Sequence, residues 1–269
     1  MNSDIQPFTI KDIPYSAALQ QDGWADIRLF FMNYCLEPFS MPIKVVIGDK
    51  IAGVGALILH EKSAWLGHII VDDSYRRQGI GYRIVEHLLD LAKKKGAESV
   101  SLIATDLGAP IYSRAGFKNA GEYQYLKRVS AWQQKSLSDK LIPATLAHIE
   151  QILELDQMIN AENRTRLIQN HLHRAMLFIE GLEVEGYYLP QFGEGPIYAR
   201  TARAGIALME LKYSSIDTAV IPLDNTLGID FLETNGFQKQ DITASKMVYG
   251  KDILWSPKQI FSRIGGNYG

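Results

Sequence analysis

The amino-acid sequence predicts an α/β (α+β) fold of two tandem domains, each a mixed, mostly antiparallel sheet flanked by helices. Its 269 residues are long for one compact domain and sufficient for two, each with its own core. In the first half, short strand-like runs precede a helix, a strand and a second helix, and a similar order returns in the second half. The pair Gly116-Phe117, which ends the last of these helices, recurs 120 residues later as Gly236-Phe237.

The first half opens with a helical region and continues as a meander. Apolar residues recur at helical spacing over residues 15–31. Runs rich in β-branched residues follow at residues 43–47, 54–59 and 64–71, separated by short polar turns. These runs predict three antiparallel strands.

A strongly amphipathic helix is predicted next. It ends at three lysines and Gly96, which place cations and a C′ glycine at its C-terminus. A strand at residues 99–105 follows, and then a short helix with Pro110 in its first turn and Gly116 at its end. The apolar face of the long helix comprises Ile80, Ile84, Val85, Leu88, Leu91 and Ala92.

A polar segment at residues 133–141 predicts the linker between the domains. We therefore expect a first domain of residues 1–134 and a second of residues 135–269. Helical patterns over residues 145–173 open the second domain. Its strand-like runs are residues 175–179, 184–189 and 197–199.

Composition excludes several classes of protein. The 28 Lys and Arg residues against 30 Asp and Glu residues provide no broad positive field for nucleic acid or an anionic membrane. The apolar run at residues 51–59 is shorter than the roughly 20 residues that span a bilayer, and the first residues lack a signal-peptide pattern. The single cysteine, Cys35, has no disulfide partner, and no Cys/His cluster has metal-site spacing. We expect a cytoplasmic protein without a metal.

Residues 71–81 lie between a predicted strand and the N-terminus of the long helix. Gly79 and Gly81 let the backbone approach a ligand, and the N–H groups of the first turn have no acceptor within the helix. The helix dipole contributes about half a positive charge there, and Arg76 and Arg77 add full charges. This pattern predicts a pyrophosphate site. An ordinary solvated turn explains the same residues equally well on the motif alone.

Residues 76–81 resemble the signature of the GCN5-related N-acetyltransferase superfamily, which is Arg or Gln, two residues, Gly, one residue, and Gly or Ala. Residues 104–117 look like that superfamily's strand, helix and Gly-Phe ending, with a tyrosine at the expected position. The tandem arrangement is similar to that of a bacterial subgroup in which a second acetyltransferase-like domain follows the first. A Gly-Trp pair recurs near the start of proteins in that subgroup, and Gly23-Trp24 resembles it.

This resemblance implies an N-acetyltransferase that moves an acetyl group from acetyl-coenzyme A, its cosubstrate, to an amine by direct attack in a ternary complex. The acceptor is a small-molecule or peptide amine, and a homodimer is left open. The strand before the anion loop is expected to pair its main chain with the pantetheine arm. The implied cofactor-binding residues are Ile70, Val71, Arg76, Arg77, Gln78, Gly79, Ile80 and Gly81.

Two catalytic residues are candidates. By the resemblance, Tyr112 is the general acid that protonates the thiolate leaving group, and packing against the coenzyme or the core is the alternative. His68 lies on the strand expected to flank the acyl group and is a candidate base, although a lone histidine in a strand is more often structural. Asp72 and Asp73 are expected to shape the turn, and Glu37 is more simply a solvated loop carboxylate.

The second half lacks the residues of this chemistry. Leu232 occupies the position of Tyr112, and residues 199–205 contain one glycine where the first half has two, so coenzyme binding there is not expected. We expect this half to bind substrate or to support the architecture. Residues 185–196 either line a cleft or form a hairpin whose aromatics fill the core. Two rival functions remain, an acyl-coenzyme A sensor without turnover and a structural protein that retains only the fold.

Overall fold

A computed structural model describes residues 4–133 and 136–269. The predicted domain boundary between residues 134 and 135 lies outside the described residues. Within the described part, no helix is long and apolar enough to cross a bilayer. No group of three or more His, Cys, Asp or Glu side chains among these residues is placed to hold a metal ion.

The predicted meander, long amphipathic helix, strand and short helix of the first half are confirmed, and the structure adds one strand at its start and one at its end that the sequence did not predict. Its strands are β1 (Asp4–Pro7), β2 (Ser40–Ile47), β3 (Lys50–His60), β4 (Ser63–Val71), β5 (Ser99–Ala104) and β6 (Lys118–Arg128). Its helices are α1 (Ile13–Ser16), α2 (Ile27–Leu36), α3 (Ile80–Lys94) and α4 (Ala109–Arg114). The helical entry region is broken before α2, at the predicted Gly23-Trp24 pair, where Gly23 adopts a φ of 76°.

The second half repeats the order of strand, helix, strand, helix and strand. Its strands are β7 (Leu141–Pro143), β8 (Met176–Glu180), β9 (Glu183–Tyr188), β10 (Ile197–Ala199), β11 (Thr218–Pro222), β12 (Phe237–Gly250) and β13 (Ile260–Ser262). Its helices are α5 (Ile149–Asn160), α6 (Thr165–Ile168), α7 (Ala202–Tyr213) and α8 (Thr226–Thr234). Gly116 and Gly236 follow α4 and α8 with φ angles of 96° and 85°, as the predicted repeat requires.

The helical pattern predicted over residues 145–173 is divided into α5 and α6, with one 3-10 segment before them (Leu146–His148) and one after them (Gln169–Arg174). Ala161 ends α5 in a left-handed conformation, and the following loop directs two charged side chains inward. Glu162 accepts hydrogen bonds from the Ser63 hydroxyl at 2.6 Å and from the Trp65 indole at 3.1 Å. Arg164 forms a buried ion pair with Asp156 at 2.5 Å. These contacts explain the break, because a continuous helix would point both side chains elsewhere.

Two sheets organise the chain, and one of them contains strands of both halves. The eight-stranded sheet has the order β1-β2-β3-β4-β5-β12-β6-β11, and the five-stranded sheet has the order β13-β10-β9-β8-β7. Strand β12 of the second half lies between β5 and β6 and is antiparallel to both. Strand β6 of the first half lies between β12 and β11. Each half therefore gives the other a strand.

The buried cores follow this exchange. Met247 of β12 packs in the core beneath α3, and Leu126 of β6 packs in the core around α7 and α8. A third core lies between the halves and combines first-half residues such as Phe31 and Trp65 with second-half residues such as Leu155. Tyr187, Tyr188 and Phe192 are buried, which favours the core-filling alternative for residues 185–196.

Candidate active site

The turn between β4 and α3 leaves the N-terminus of α3 open. Gly79 is the N-cap residue, has a φ of 80° and provides no side-chain acceptor for the first-turn N–H groups. A Cβ atom at Gly79 would meet no other heavy atom within 4 Å, so open space lies beside the start of the helix. A Cβ atom at Gly81 would touch Ile111 at 3.5 Å, which places the start of α3 beside α4. The geometry suits an anion that approaches the helix end.

The charged side chains of this turn have different tasks. The Arg76 guanidinium bonds to the Val71 carbonyl at 3.2 Å and to the Gln21 amide at 2.9 Å, and it pairs with Asp73 at 2.7 Å. It braces the turn and adds positive charge beside it. Asp72 accepts a hydrogen bond from the backbone N–H of Ser74, so the expectation that both aspartates shape the turn is confirmed. Arg77 and Gln78 are exposed, and Ile80 is buried.

A wedge-shaped gap opens between β4 and β5. The two strands pair in parallel only from Ser63 with Ser99 to Trp65 with Ser101, whereas β4 continues to Val71. Beyond Trp65, the β5-facing edge of β4 has no strand partner among the described residues. Ile70 and Val71 lie on this edge. An unpaired strand edge can receive an extended amide-containing ligand.

Tyr112 lies on α4 on the α3 side of the sheet. Its ring packs edge-on against Phe117, with ring centroids 5.9 Å apart, and joins the core beneath α3. A Cβ atom at Gly108 would lie 2.9 Å from the Tyr112 ring, so the glycine at that position avoids a clash with the phenol. Burial raises the pKa of Tyr112 to about 12. The phenol is therefore protonated at neutral pH, as a proton donor must be.

His68 lies in a β-bulge of β4, on the opposite side of the sheet from Tyr112. The register shifts where Val54 and Ala56 of β3 face Ile70 and Gly67, and His68 adopts a φ of 50°. Non-glycine residues held at positive φ are uncommon and often mark functional sites. The gap between β4 and β5 joins the side of the sheet that carries Tyr112 to the side that carries His68.

Aromatic rings surround the His68 imidazole. Phe30 packs on it with centroids 4.4 Å apart, and Trp24 and Phe31 present edges at 5.9 and 6.3 Å. Burial lowers the pKa of His68 to about 4. The imidazole is therefore neutral at physiological pH and a weak base, which argues against the role of general base that the sequence suggested for it.

Sequence reasoning missed two residues beside His68. The Tyr34 hydroxyl lies 2.7 Å from His68 Nδ1, and the Asn267 side-chain amide donates to the Tyr34 oxygen at 2.7 Å. Their sequence separation of 233 residues gave no local signal. Gly67 offered a hint, because a Cβ atom there would lie 2.9 Å from both Asn267 and Tyr34, and glycine in a strand often marks such a close approach.

The surroundings of the Cys35 thiol and the Glu37 carboxylate indicate structural rather than catalytic roles. The Cys35 thiol faces the Phe8 carbonyl at 3.7 Å, and burial raises its pKa, so it is a poor nucleophile. Glu37 follows α2 as its C-cap residue, and burial together with the nearby charge of Glu37 raises the pKa of the Tyr268 phenol.

The second-half counterpart of the anion turn is closed. Thr201 caps α7 by accepting the Ala204 N–H at 3.4 Å. Gly205 meets the Phe261 ring, to which a Cβ atom would come within 2.2 Å, so this glycine serves packing. Leu232 is fully buried at the position of the predicted acid. This geometry supports the prediction that coenzyme does not bind there.

Comparison with known proteins agrees with this geometry. A family model described as an acetyltransferase (GNAT) domain matches residues 40–133. The uncharacterized N-acetyltransferase YitH of Bacillus subtilis is 28% identical over 214 residues, which are 73% of this chain and 73% of that protein.

Solved structures share the whole fold. A putative acetyltransferase from Pyrococcus horikoshii superposes with a TM-score of 0.83 at 18% identity, covering 99% of this chain and 96% of that one. A GCN5-related N-acetyltransferase from Sphaerobacter thermophilus has a TM-score of 0.66 at 10% identity, covering 92% and 95% of the two chains. The mixed, mostly antiparallel architecture flanked by helices thus extends over both halves of these proteins.

Proposed function

Because the chain belongs to the GCN5-related N-acetyltransferase superfamily, we propose that it transfers an acetyl group from acetyl-coenzyme A to an amine acceptor. The open N-terminus of α3 at Gly79 carries this proposal, because it follows the unpaired end of β4 and because the start of α3 touches α4, the helix that carries Tyr112. A cytoplasmic location and the two-domain division expected from the sequence belong to the same proposal.

The coenzyme would bind through backbone groups more than through side chains. Its pyrophosphate accepts from the N–H groups of residues 79–81, and Arg77 adds an exposed positive charge nearby. The pantetheine arm pairs with the free edge of β4 at Ile70 and Val71. The thioester then lies in the gap, with Tyr112 on one side of the sheet and His68 on the other.

The reaction needs one proton donor and one proton acceptor. The amine nitrogen attacks the thioester carbon and forms the C–N bond, and the C–S bond then breaks. The leaving thiolate takes a proton from the Tyr112 phenol, which the buried site keeps protonated. The proton released by the amine goes to water, and solvent returns a proton to Tyr112. Water suits the acceptor role because burial lowers the pKa of His68 to about 4, which leaves the imidazole too weak a base to take this proton.

Calorimetric titration with acetyl-coenzyme A tests binding, using two matched glycine variants. Gly79 and Gly96 stand at opposite ends of α3, both in left-handed conformations and both with free space for a Cβ atom. Gly79→Ala and Gly96→Ala therefore introduce similar strain, about 1 kcal/mol each. We expect about tenfold weaker coenzyme binding for Gly79→Ala only. Equal affinities in both variants would contradict the assignment of the anion site.

Thiol release in the presence of defined amines tests turnover. The panel comprises a peptide with a free N-terminus, a lysine-containing peptide, an amino sugar phosphate and a polyamine. We expect coenzyme A release with at least one class of amine. Tight coenzyme binding without turnover on any of them would favour the acyl-coenzyme A sensor, and no binding at all would favour the structural protein.

A further inference from the structure

A chain of hydrogen bonds connects Asn267 of the second half, through Tyr34, to His68 of the first half. Asn267 follows β13 and is buried, with 4% of its surface exposed, and its side-chain amide reaches the Tyr34 hydroxyl of α2. Tyr34 is also buried and reaches His68 Nδ1. Both distances are 2.7 Å. The imidazole of β4 is thus held by a residue nearly 200 positions away in the chain.

The chemistry of the amide fixes the direction of the first hydrogen bond. An amide nitrogen only donates, so the Tyr34 oxygen accepts from Asn267. The direction of the second depends on the tautomer of His68: Nδ1 accepts the single hydroxyl proton of Tyr34 when the imidazole carries its own proton on Nε2. A neutral imidazole whose Nδ1 accepts carries its proton on Nε2.

His68 Nε2 is free to meet a ligand. Nothing among the described residues forms a hydrogen bond with it, and the ring retains partial exposure. Burial lowers the pKa of the ring to about 4, so at neutral pH the imidazole is uncharged and carries a proton on only one of its two nitrogens. His68 belongs to the part of β4 beyond Trp65, where the strand has no pairing with β5.

We propose that Tyr34 and Asn267 hold His68 in the Nε2–H tautomer, and that this N–H donates a hydrogen bond to the carbonyl oxygen of the bound thioester. This inference rests on the proposed function. It makes His68 an oxyanion donor rather than a base, and it makes Tyr34 and Asn267 positioning residues.

The charge balance of the step is simple. When the amine attacks, the π electrons of the carbonyl move onto its oxygen, and the Nε2–H bond stabilises the resulting negative charge without transferring its proton. When the carbonyl re-forms, the same electrons return and the C–S bond breaks. His68 thus ends the cycle in the tautomer in which it began. A neutral imidazole suits this task, since it donates a hydrogen bond and keeps its proton.

The second half completes the site on this view. Asn267 and Tyr268 belong to the segment after β13, and Tyr268 packs edge-on against Tyr34 with centroids 6.3 Å apart. Tyr34 and Tyr268 also share a side-chain hydrogen bond, so the Tyr268 hydroxyl is the competing acceptor for the Tyr34 proton. If it took that proton, His68 would carry its hydrogen on Nδ1 and present a bare Nε2.

Nitrogen NMR of the full-length protein with labelled histidine separates the two tautomers without any substrate. The chain has six histidines, and the His68→Gln variant identifies the signals of His68. We expect a pyrrole-type signal for Nε2 and a pyridine-type signal for Nδ1. The opposite assignment in the wild-type protein would overturn the inference directly.

Three variants test the role of each partner. Asn267→Asp replaces a donor by an acceptor of the same shape, so Tyr34 should donate to the carboxylate and the tautomer should reverse. Tyr34→Phe removes the hydroxyl, so the His68 proton should no longer be held on Nε2 and should populate both nitrogens. Tyr268→Phe removes the competing acceptor and, as the control, should leave the His68 signals unchanged. An unchanged tautomer in both Asn267→Asp and Tyr34→Phe would contradict the positioning role.

The catalytic consequence is measured as a change in kcat. Loss of the Nε2–H donor in Asn267→Asp should lower kcat about 100-fold, while calorimetric affinity for acetyl-coenzyme A stays at the wild-type value. A reversed tautomer with wild-type kcat would remove His68 from the oxyanion role. Failure of the wild-type protein to bind acetyl-coenzyme A would refute the proposed function and the oxyanion role with it. A coenzyme-binding protein with Nδ1–H at His68 would refute only this inference.

Discussion

The strand-to-helix turns of the two halves show how one fold keeps a ligand site in one copy and closes it in the other. At the start of α3, Gly79 leaves the first-turn N–H groups without a side-chain acceptor. At the start of α7, Thr201 supplies that acceptor, and Gly205 is covered by the Phe261 ring. Both helices have a dipole whose positive end lies at this turn, and both begin with N–H groups that have no acceptor within the helix. The side chains around the helix end therefore decide whether an anion can reach it.

The halves nevertheless depend on each other, and separate expression should have the largest effect. A fragment of residues 1–133 lacks β11 and β12, so β5 would expose an unpaired edge, β6 would lose both of its neighbours, and Met247 would be missing from the core beneath α3. We expect this fragment, and likewise one of residues 136–269, to be unfolded or aggregated. Circular dichroism and size-exclusion chromatography measure this.

Mixing the two fragments during refolding provides the control. Because the exchanged strands β6 and β12 pair along most of their length, the fragments should reassemble into a complex that binds acetyl-coenzyme A. A folded first-half fragment that binds coenzyme alone would show that the second half is dispensable for the site.

Substitutions at the equivalent positions Tyr112 and Leu232 should affect different properties, namely the rate of the reaction at Tyr112 and the stability of the fold at Leu232. Tyr112→Phe removes only the hydroxyl, and we expect kcat to fall about 100-fold or more, with little change in the free energy of unfolding. Leu232→Ala removes a fully buried side chain and should cost about 2–5 kcal/mol of stability with kcat nearly unchanged in the folded fraction. Denaturant titration and steady-state kinetics on both variants test this contrast. A Tyr112→Phe enzyme with full kcat would assign the ring to packing.

The sequence was informative where structure depends on local pattern and uninformative where it depends on distant pairing. The apolar face of α3 and the runs of β-branched residues in β2 to β4 define those elements within a few residues, and they were predicted correctly. Strand β12 gave no signal that it would lie between β5 and β6, because the choice of partner is made across more than 100 residues. The site divides in the same way, since the anion turn is a local motif whereas Asn267 reaches Tyr34 only in the folded chain.

The helix-start glycines Gly81 and Gly205 should respond to alanine in opposite ways. A methyl group at Gly205 would overlap the Phe261 ring, and we expect a loss of about 1–3 kcal/mol in stability from overpacking. A methyl group at Gly81 makes ordinary contacts at 3.5 Å, so the fold should tolerate it. Coenzyme affinity should stay near the wild-type value in Gly81→Ala, because the superfamily signature accepts Gly or Ala at this position and the added atom faces Ile111 and Val71. Thermal unfolding and calorimetric titration measure both effects, and a Gly81→Ala protein that loses stability or coenzyme affinity would contradict this contrast.

Thr201→Ala should have the smallest effect and tests whether the cap alone closes the second turn. Loss of the hydrogen bond to the Ala204 N–H should destabilise the protein by about 1 kcal/mol. The freed N–H groups would then resemble those at Gly79, yet Phe261 still covers Gly205, so we expect no second molecule of acetyl-coenzyme A to bind. Calorimetry should give one site per chain in both wild type and variant. A second site in Thr201→Ala would show that a single threonine hydroxyl, rather than the packing behind it, keeps the second turn closed.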